Sequence, residues 1–170
     1  IQMLDTVQQL DEQLMHTPHL LELSGDAHLA RYEMAIVGFA DRSDLIHAQQ
    51  AYDLIRDNHP LYDNMGWIEY QLGRIALIKD DVSQADARFR QALFSPSTFV
   101  GLTAYCYERL GFIAYYETRS YCDALTYLNK AVDTYPAQEP RLWLVQVHLL
   151  RSRVLRESDL DAALHAAQYA

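Results

Sequence analysis

Seven histidines, two cysteines and 23 carboxylates are the groups in this 170-residue chain that could hold a metal or move a proton. Only His16 and His19 lie close together among the histidines, and Pro18 between them breaks any helix that would set both on one face. There is no HExxH and no CxxC, so no metal site is expected. No glycine-rich phosphate loop, nucleophile elbow or histidine in a catalytic context occurs, and neither a cofactor nor an enzymatic activity is expected. Asp80-Asp81 reads as a solvated helix entrance. Cys106, in an aromatic stretch, reads as a core residue. Cys106 and Cys122 fall near opposite ends of two antiparallel helices, on the order of 15 Å apart at the helical rise. That is too far for a disulfide, which fits reduced packing cysteines of a cytoplasmic protein. The chemistry that the residue types do favour is recognition. There are 12 tyrosines, and Tyr105, Tyr107, Tyr115, Tyr116 and Tyr121 crowd into one stretch. Tyrosine pairs a large apolar body with a polar tip, which suits contact surfaces.

The elements that must position these residues are helices. Half the residues are apolar, and glycine and proline number only 6 and 5, too few turn formers for a many-stranded fold. Apolar residues recur at helical spacing, predicting helices over 1–15, 27–40, 44–58, 61–79, 84–94, 98–117, 121–134, 139–156 and 159–170. Thr17-Pro18 reads as a break and Ser24-Gly25-Asp26 as the next helix start. Ser43, Ser83 and Ser120 read as N-caps. The net charge is −9. Residues 1–66 carry 11 acids against Arg31, Arg42 and Arg56, and residues 67–170 carry 12 acids and 11 bases. Nucleic acid demands a basic footprint, and the Arg151, Arg153 and Arg156 cluster is offset by Glu157, Asp159 and Asp161, so no nucleic-acid partner is expected. No signal peptide and no uncharged apolar run of spanning length is present, so no membrane partner is expected either. A start at Ile1 and a stop at Ala170 inside a helical pattern suggest a piece of a longer protein.

An internal repeat organises the chain. Leu72-Gly73-x-Ile75-Ala76 recurs as Leu110-Gly111-x-Ile113-Ala114, 38 residues on. Ala85-x3-Phe89-x2-Ala92 recurs as Ala124-x3-Leu128-x2-Ala131, now 39 residues on, and Ala163-x3-Ala167-x2-Ala170 repeats that step. Ala48-x3-Tyr52-x2-Ile55 lies 37 residues before Ala85. Small residues let paired helices approach, and the bulky central residue fills the space between pairs. Pro60, Pro96 and Pro136 each follow a second helix and stop it.

These motifs resemble the tetratricopeptide repeat, W-x2-L-G-x2-Y, then A-x3-F, then P. Tyr107-x2-Leu110-Gly111 fits its first part and Ala85-x3-Phe89 its second. Ala76 and Ala114 replace the tyrosine, Glu69 stands at the tryptophan position and Trp67 two residues early. The period exceeds the usual 34, as in the long-repeat MalT-like arms of bacterial regulators. The resemblance implies an all-α, superhelical array of antiparallel helix hairpins. It would comprise about four repeats (27–60, 61–97, 98–137 and 138–170), with 1–26 as an N-terminal helix and linker. It implies a concave face lined by the first helix of each hairpin, here Trp67, Tyr70, Arg74, Tyr105, Glu108, Phe112, Tyr115 and Tyr116. It further implies a protein or peptide partner held on that face as the function, with a ligand- or peptide-sensing arm of a larger bacterial signalling or transcription regulator as the alternative. A terminal hairpin without a successor, with Leu160, Ala163, Leu164 and Ala167 on its uncovered side, is expected to invite self-association.

Overall fold

The computed structural model describes residues 17–35, 41–137 and 141–168. The helix expected over 1–15 and the end of the one expected over 27–40 lie outside them. Among these described residues, seven helices pack in sequential pairs: α1 (Pro18–Met34), α2 (Arg42–Asn58), α3 (Met65–Ile78), α4 (Val82–Ala92), α5 (Leu102–Tyr116), α6 (Tyr121–Asp133) and α7 (Arg141–Gln168). The closest partnerships are α1 with α2, α3 with α4, and α5 with α6. No described helix is long and apolar enough to cross a membrane.

Three cores follow one another along the chain. Leu29, Leu45, Tyr52, Ile55, Ile68 and Ile75 join α1 and α2 to α3. Ala85, Phe89, Cys106 and Leu110 belong to the core that joins α3 and α4 to α5. Ala124, Leu128, Val147 and Val154 belong to the core that joins α5 and α6 to α7. Each pair is therefore closed by the first helix of the next, and no pair buries its apolar face alone.

The small-residue motifs explain how closely the pairs pack. A Cβ placed on Gly73 would meet the Phe89 ring at 2.7 Å, and one on Gly111 would meet Leu128 at 2.8 Å. Gly25 has the same relation to Tyr52, at 2.6 Å. This corrects the expectation for the first unit. Gly25 is not a helix start but a buried position in mid-helix, and α1 begins at Pro18, nine residues before the start expected at Ala27. Pro18 opens α1 at its first turn, where the missing N–H costs nothing and the fixed φ favours the helix.

The two turns inside α3–α4 and α5–α6 are built alike. Asp80 and Arg119, each just before the N-cap, take positive φ of 63° and 54°. The next N–H returns to an alanine carbonyl: Asp81 to Ala76 at 2.9 Å, Ser120 to Ala114 at 2.8 Å. Residues 117–120 make the second turn and residues 79–81 the first, one residue fewer. That difference turns the 38-residue spacing of the first helices into the 39-residue spacing of the second.

Caps differ from expectation. Asp41 caps α2 through Ser43 N at 2.8 Å, and Asp81 caps α4 through Gln84 N at 3.0 Å. Ser43 and Ser83 are already helical. A carboxylate also favours the positive end of the helix dipole, so aspartate takes the cap where both types are near. Ser120 does occupy the N-cap of α6, but its hydroxyl donates to Asp123 at 2.7 Å.

The last unit is not a hairpin. Residues 141–168 form one helix through the expected break at 157–158. No glycine or proline lies in the segment, and the Ser152 and Ser158 hydroxyls return to the carbonyls of His148 and Leu155, both at 2.9 Å. Serine satisfied by its own preceding turn does not end a helix. Leu142, Val145 and Leu149 are exposed apolar side chains on α7.

Candidate functional site

Helices α1, α3, α5 and α7 open the successive pairs, and they also meet one another. The seam between α1 and α3 is made of carboxylates. Asp26, half-buried, accepts from Tyr52 Oη at 2.6 Å, from Gln71 Nε2 at 2.8 Å and from Trp67 Nε1 at 3.2 Å. One turn earlier, Glu22 accepts from Asn64 Nδ2 at 2.8 Å and from the Tyr62 hydroxyl. Further along α1, Glu33 pairs with Arg74, whose second nitrogen reaches Gln71 Oε1 at 2.8 Å. Arg74, Gln71, Asp26 and Tyr52 thus form one polar chain running from the surface into the first core. At its other end the seam opens on a cleft of ≈330 Å³ lined by His19, Glu22, Asp26, Tyr62, Asp63 and Asn64, among others.

The seam from α3 through α5 to α7 is made of rings. Trp67 stacks on Tyr70 at 5.5 Å between centroids, and Tyr70 meets Tyr105 edge-on at 6.3 Å. Tyr105 packs against Trp143 of α7 at 4.8 Å, and Trp143 stacks on Tyr135 at 4.6 Å. Phe99 fills the angle between Trp67 and Tyr105. These spacings are those at which aromatic quadrupoles attract. A second ring group lies at the end of α5. Phe112 and Tyr115 both touch Tyr116 at 4.5 Å. It is tied to α7 by Tyr115 Oη donating to Glu157 at 2.6 Å and by Arg153 donating to Tyr116 Oη at 2.9 Å.

The eight residues expected on a contact face all lie on α3 and α5, in two ring groups and at two depths. Tyr70 and Tyr115, 3% and 2% exposed, lie inside the fold and hold helices together. Trp67, Arg74, Tyr105, Glu108, Phe112 and Tyr116 are half-buried and present an edge. Glu108 pairs with Arg109 at 3.2 Å. Burial pushes its carboxyl above the usual range, against the opposing pull of Arg109 and Arg74. Trp143 and Asp26 belong to the same surface and were not among the expected residues. The stacked Trp143 has no motif glycine to set its register, and Asp26 lay in the segment read as a linker.

The cysteines do not pair: Cys106 is buried and Cys122 exposed. Burial pushes the Cys106 thiol up to about 12, consistent with a packing role, whereas the exposed Cys122 departs from the expected one. A polar cluster that sequence spacing did not signal sits on the first pair. His28 of α1 and Asp44 and His47 of α2 bring their ligand-type atoms within 4.8 Å of one another. His28 Nδ1 is 2.8 Å from Asp44 Oδ1, and the two imidazoles are 5.1 Å apart. Arg31 donates to both Asp44 oxygens, at 2.7 Å through Nε. The only sequence signal was Asp44-x2-His47, one helical turn apart; His28 joins them through the fold. No protein-family model and no curated protein matches this chain.

Proposed function

We propose that the chain is a tetratricopeptide-like helical repeat that holds a protein segment on the face formed by α1, α3, α5 and α7. One observation carries this reading. Helices α3 and α5 touch side by side, so Trp67 and Arg74 of the one share a surface with Tyr105, Glu108, Phe112 and Tyr116 of the other. The glycine contacts at Gly25, Gly73 and Gly111 support a repeat of three pairs with α7 as the closing helix. Half-buried aromatics beside an arginine and a carboxylate suit a peptide that offers apolar side chains and both charges.

The test is selection of binding peptides from a random library against the whole chain, followed by Phe112→Ala and Arg74→Ala. Affinity for the selected peptides is expected to fall about tenfold for each, the value of a well-packed contact, with the folded circular-dichroism spectrum retained at the assay temperature. Arg90→Ala on α4 serves as the off-face control. Equal affinity in all three variants would remove the reading. The cleft beside Glu22 and Asp26 favours a second reading, an arm that senses a small cationic effector. In that case the library yields no binder, and small organic cations raise the melting temperature in a Glu22-dependent way.

A further inference from the structure

We propose that His28, Asp44 and His47 form a binding site for a divalent transition-metal ion, clamping α1 to α2. The site is independent of the peptide-binding face.

The donor set is two imidazoles and a carboxylate, a combination that zinc accepts while keeping a further position for water. Tetrahedral zinc with bonds of about 2 Å holds its donor atoms about 3.3 Å apart. Here the three donors already lie within 4.8 Å of one another, and the His28–Asp44 pair is at 2.8 Å. Side-chain rotation alone brings them in, because His47 is exposed and His28 is half-buried. Asp44, 4% exposed on the first turn of α2, is the fixed member.

A positive charge already occupies the place a metal would take. Arg31 grips both oxygens of Asp44, and with His28 it holds that carboxyl well below the usual range. The Arg31 side chain is 67% exposed, whereas that of Asp44 is 5% exposed. Arg31 can therefore swing into water, leaving the carboxylate to a divalent ion of higher charge density. Arginine and metal compete for one carboxylate, so removing the arginine strengthens metal binding. A purely structural clasp predicts no such effect.

The experiment is a Zn²⁺ titration of the whole, untagged chain by calorimetry, with Co²⁺ absorption as a reporter of coordination. One equivalent is expected to bind. His28→Gln and His47→Ala each weaken it about tenfold or more, whereas His148→Gln on α7 leaves it unchanged. Arg31→Gln is expected to tighten it severalfold. Melting curves without metal establish that each variant is folded; His47, being exposed, is the variant that tests the site without touching the core. The proposal is overturned if the wild-type chain shows no saturable Zn²⁺ binding at millimolar metal. It is equally overturned if affinity survives loss of both histidines, or if Arg31→Gln weakens it.

Discussion

The two seams that join the first helices solve the same problem with opposite chemistry. Between α1 and α3 the contacts run through Glu22, Asp26 and Glu33. From α3 to α7 they run through Trp67, Tyr70, Tyr105 and Trp143. A ring contact removes apolar area from water and tolerates small shifts, because dispersion and quadrupole forces vary gently with angle. A carboxylate with three fixed donors does not. Its value depends on each hydrogen bond, and any donor left without it stays buried and unpaired. The ring seam is therefore the stability reservoir, and the carboxylate seam sets the register of α1 on α3.

The ring seam is where the largest loss is expected. Tyr70, 3% exposed, lies among Trp67, Phe89 and Tyr105. Tyr70→Ala is expected to cost about 4 kcal/mol, as for other buried aromatics, and chemical denaturation measures it. The loss should be insensitive to salt. A loss under about 1 kcal/mol would mean that the rings pack loosely and that the reservoir lies elsewhere.

Asp26→Ala comes second, at about 2 kcal/mol, the cost of stranding donors that had a charged acceptor. Tyr52 is the donor that matters most: it is fully buried, and its ring fills the place a Gly25 side chain would need. The double variant with Tyr52→Phe removes donor and acceptor together. It is expected to recover part of the loss, which a double-mutant cycle reads directly. Additive losses would show that Asp26 acts on α3 alone.

How much of this was legible follows the same division. The ring seam could be read because its residues stand at fixed offsets from Gly73 and Gly111, and helical periodicity carries such offsets reliably. Its depth could not, since Tyr70 and Phe112 look alike in sequence and only the neighbouring pair decides which is covered. The carboxylate seam was illegible for a local reason. Ser24-Gly25-Asp26 carries every sign of a helix start, yet Leu21, Gly25 and Leu29 are all buried on one stripe of α1. Packing of Tyr52 against Gly25 overrode the propensity. Glu69 is a further case. At a position where the repeat pattern has tryptophan, it is fully buried and paired with Arg88 at 2.8 Å. An ion pair replaces a ring there, and no single position announces the exchange. The continuous α7 runs through the break expected at 157–158 because Ser158 bonds its own helix there.

The smallest expected effect separates the two ends of the helix row by pH. On the first pair, Asp44 is held well below the usual carboxylate range, chiefly by its hydrogen bond from Arg31 and then by His28. Such a group stabilises the fold above its ordinary pKa of about 4 and loses that contribution as pH falls toward the folded value. At the ring end, Tyr115 moves the other way. Burial, then its hydrogen bond to Glu157, pushes the phenol up to about 12. Below pH of about 10 both folded and unfolded chains keep the proton, and the stabilisation is complete. Between there and about 12 the unfolded chain releases it while the folded chain cannot, so stability declines as pH rises. Melting temperatures between pH 9 and 11 should therefore drop, and Tyr115→Phe should flatten part of that drop while leaving the acid limb unchanged. Arg31→Gln should do the reverse, flattening the acid limb alone. If one substitution altered both limbs, the clasp of α1 on α2 and the ring contacts of α5 with α7 would be coupled, and the two ends of the helix row would not be independent.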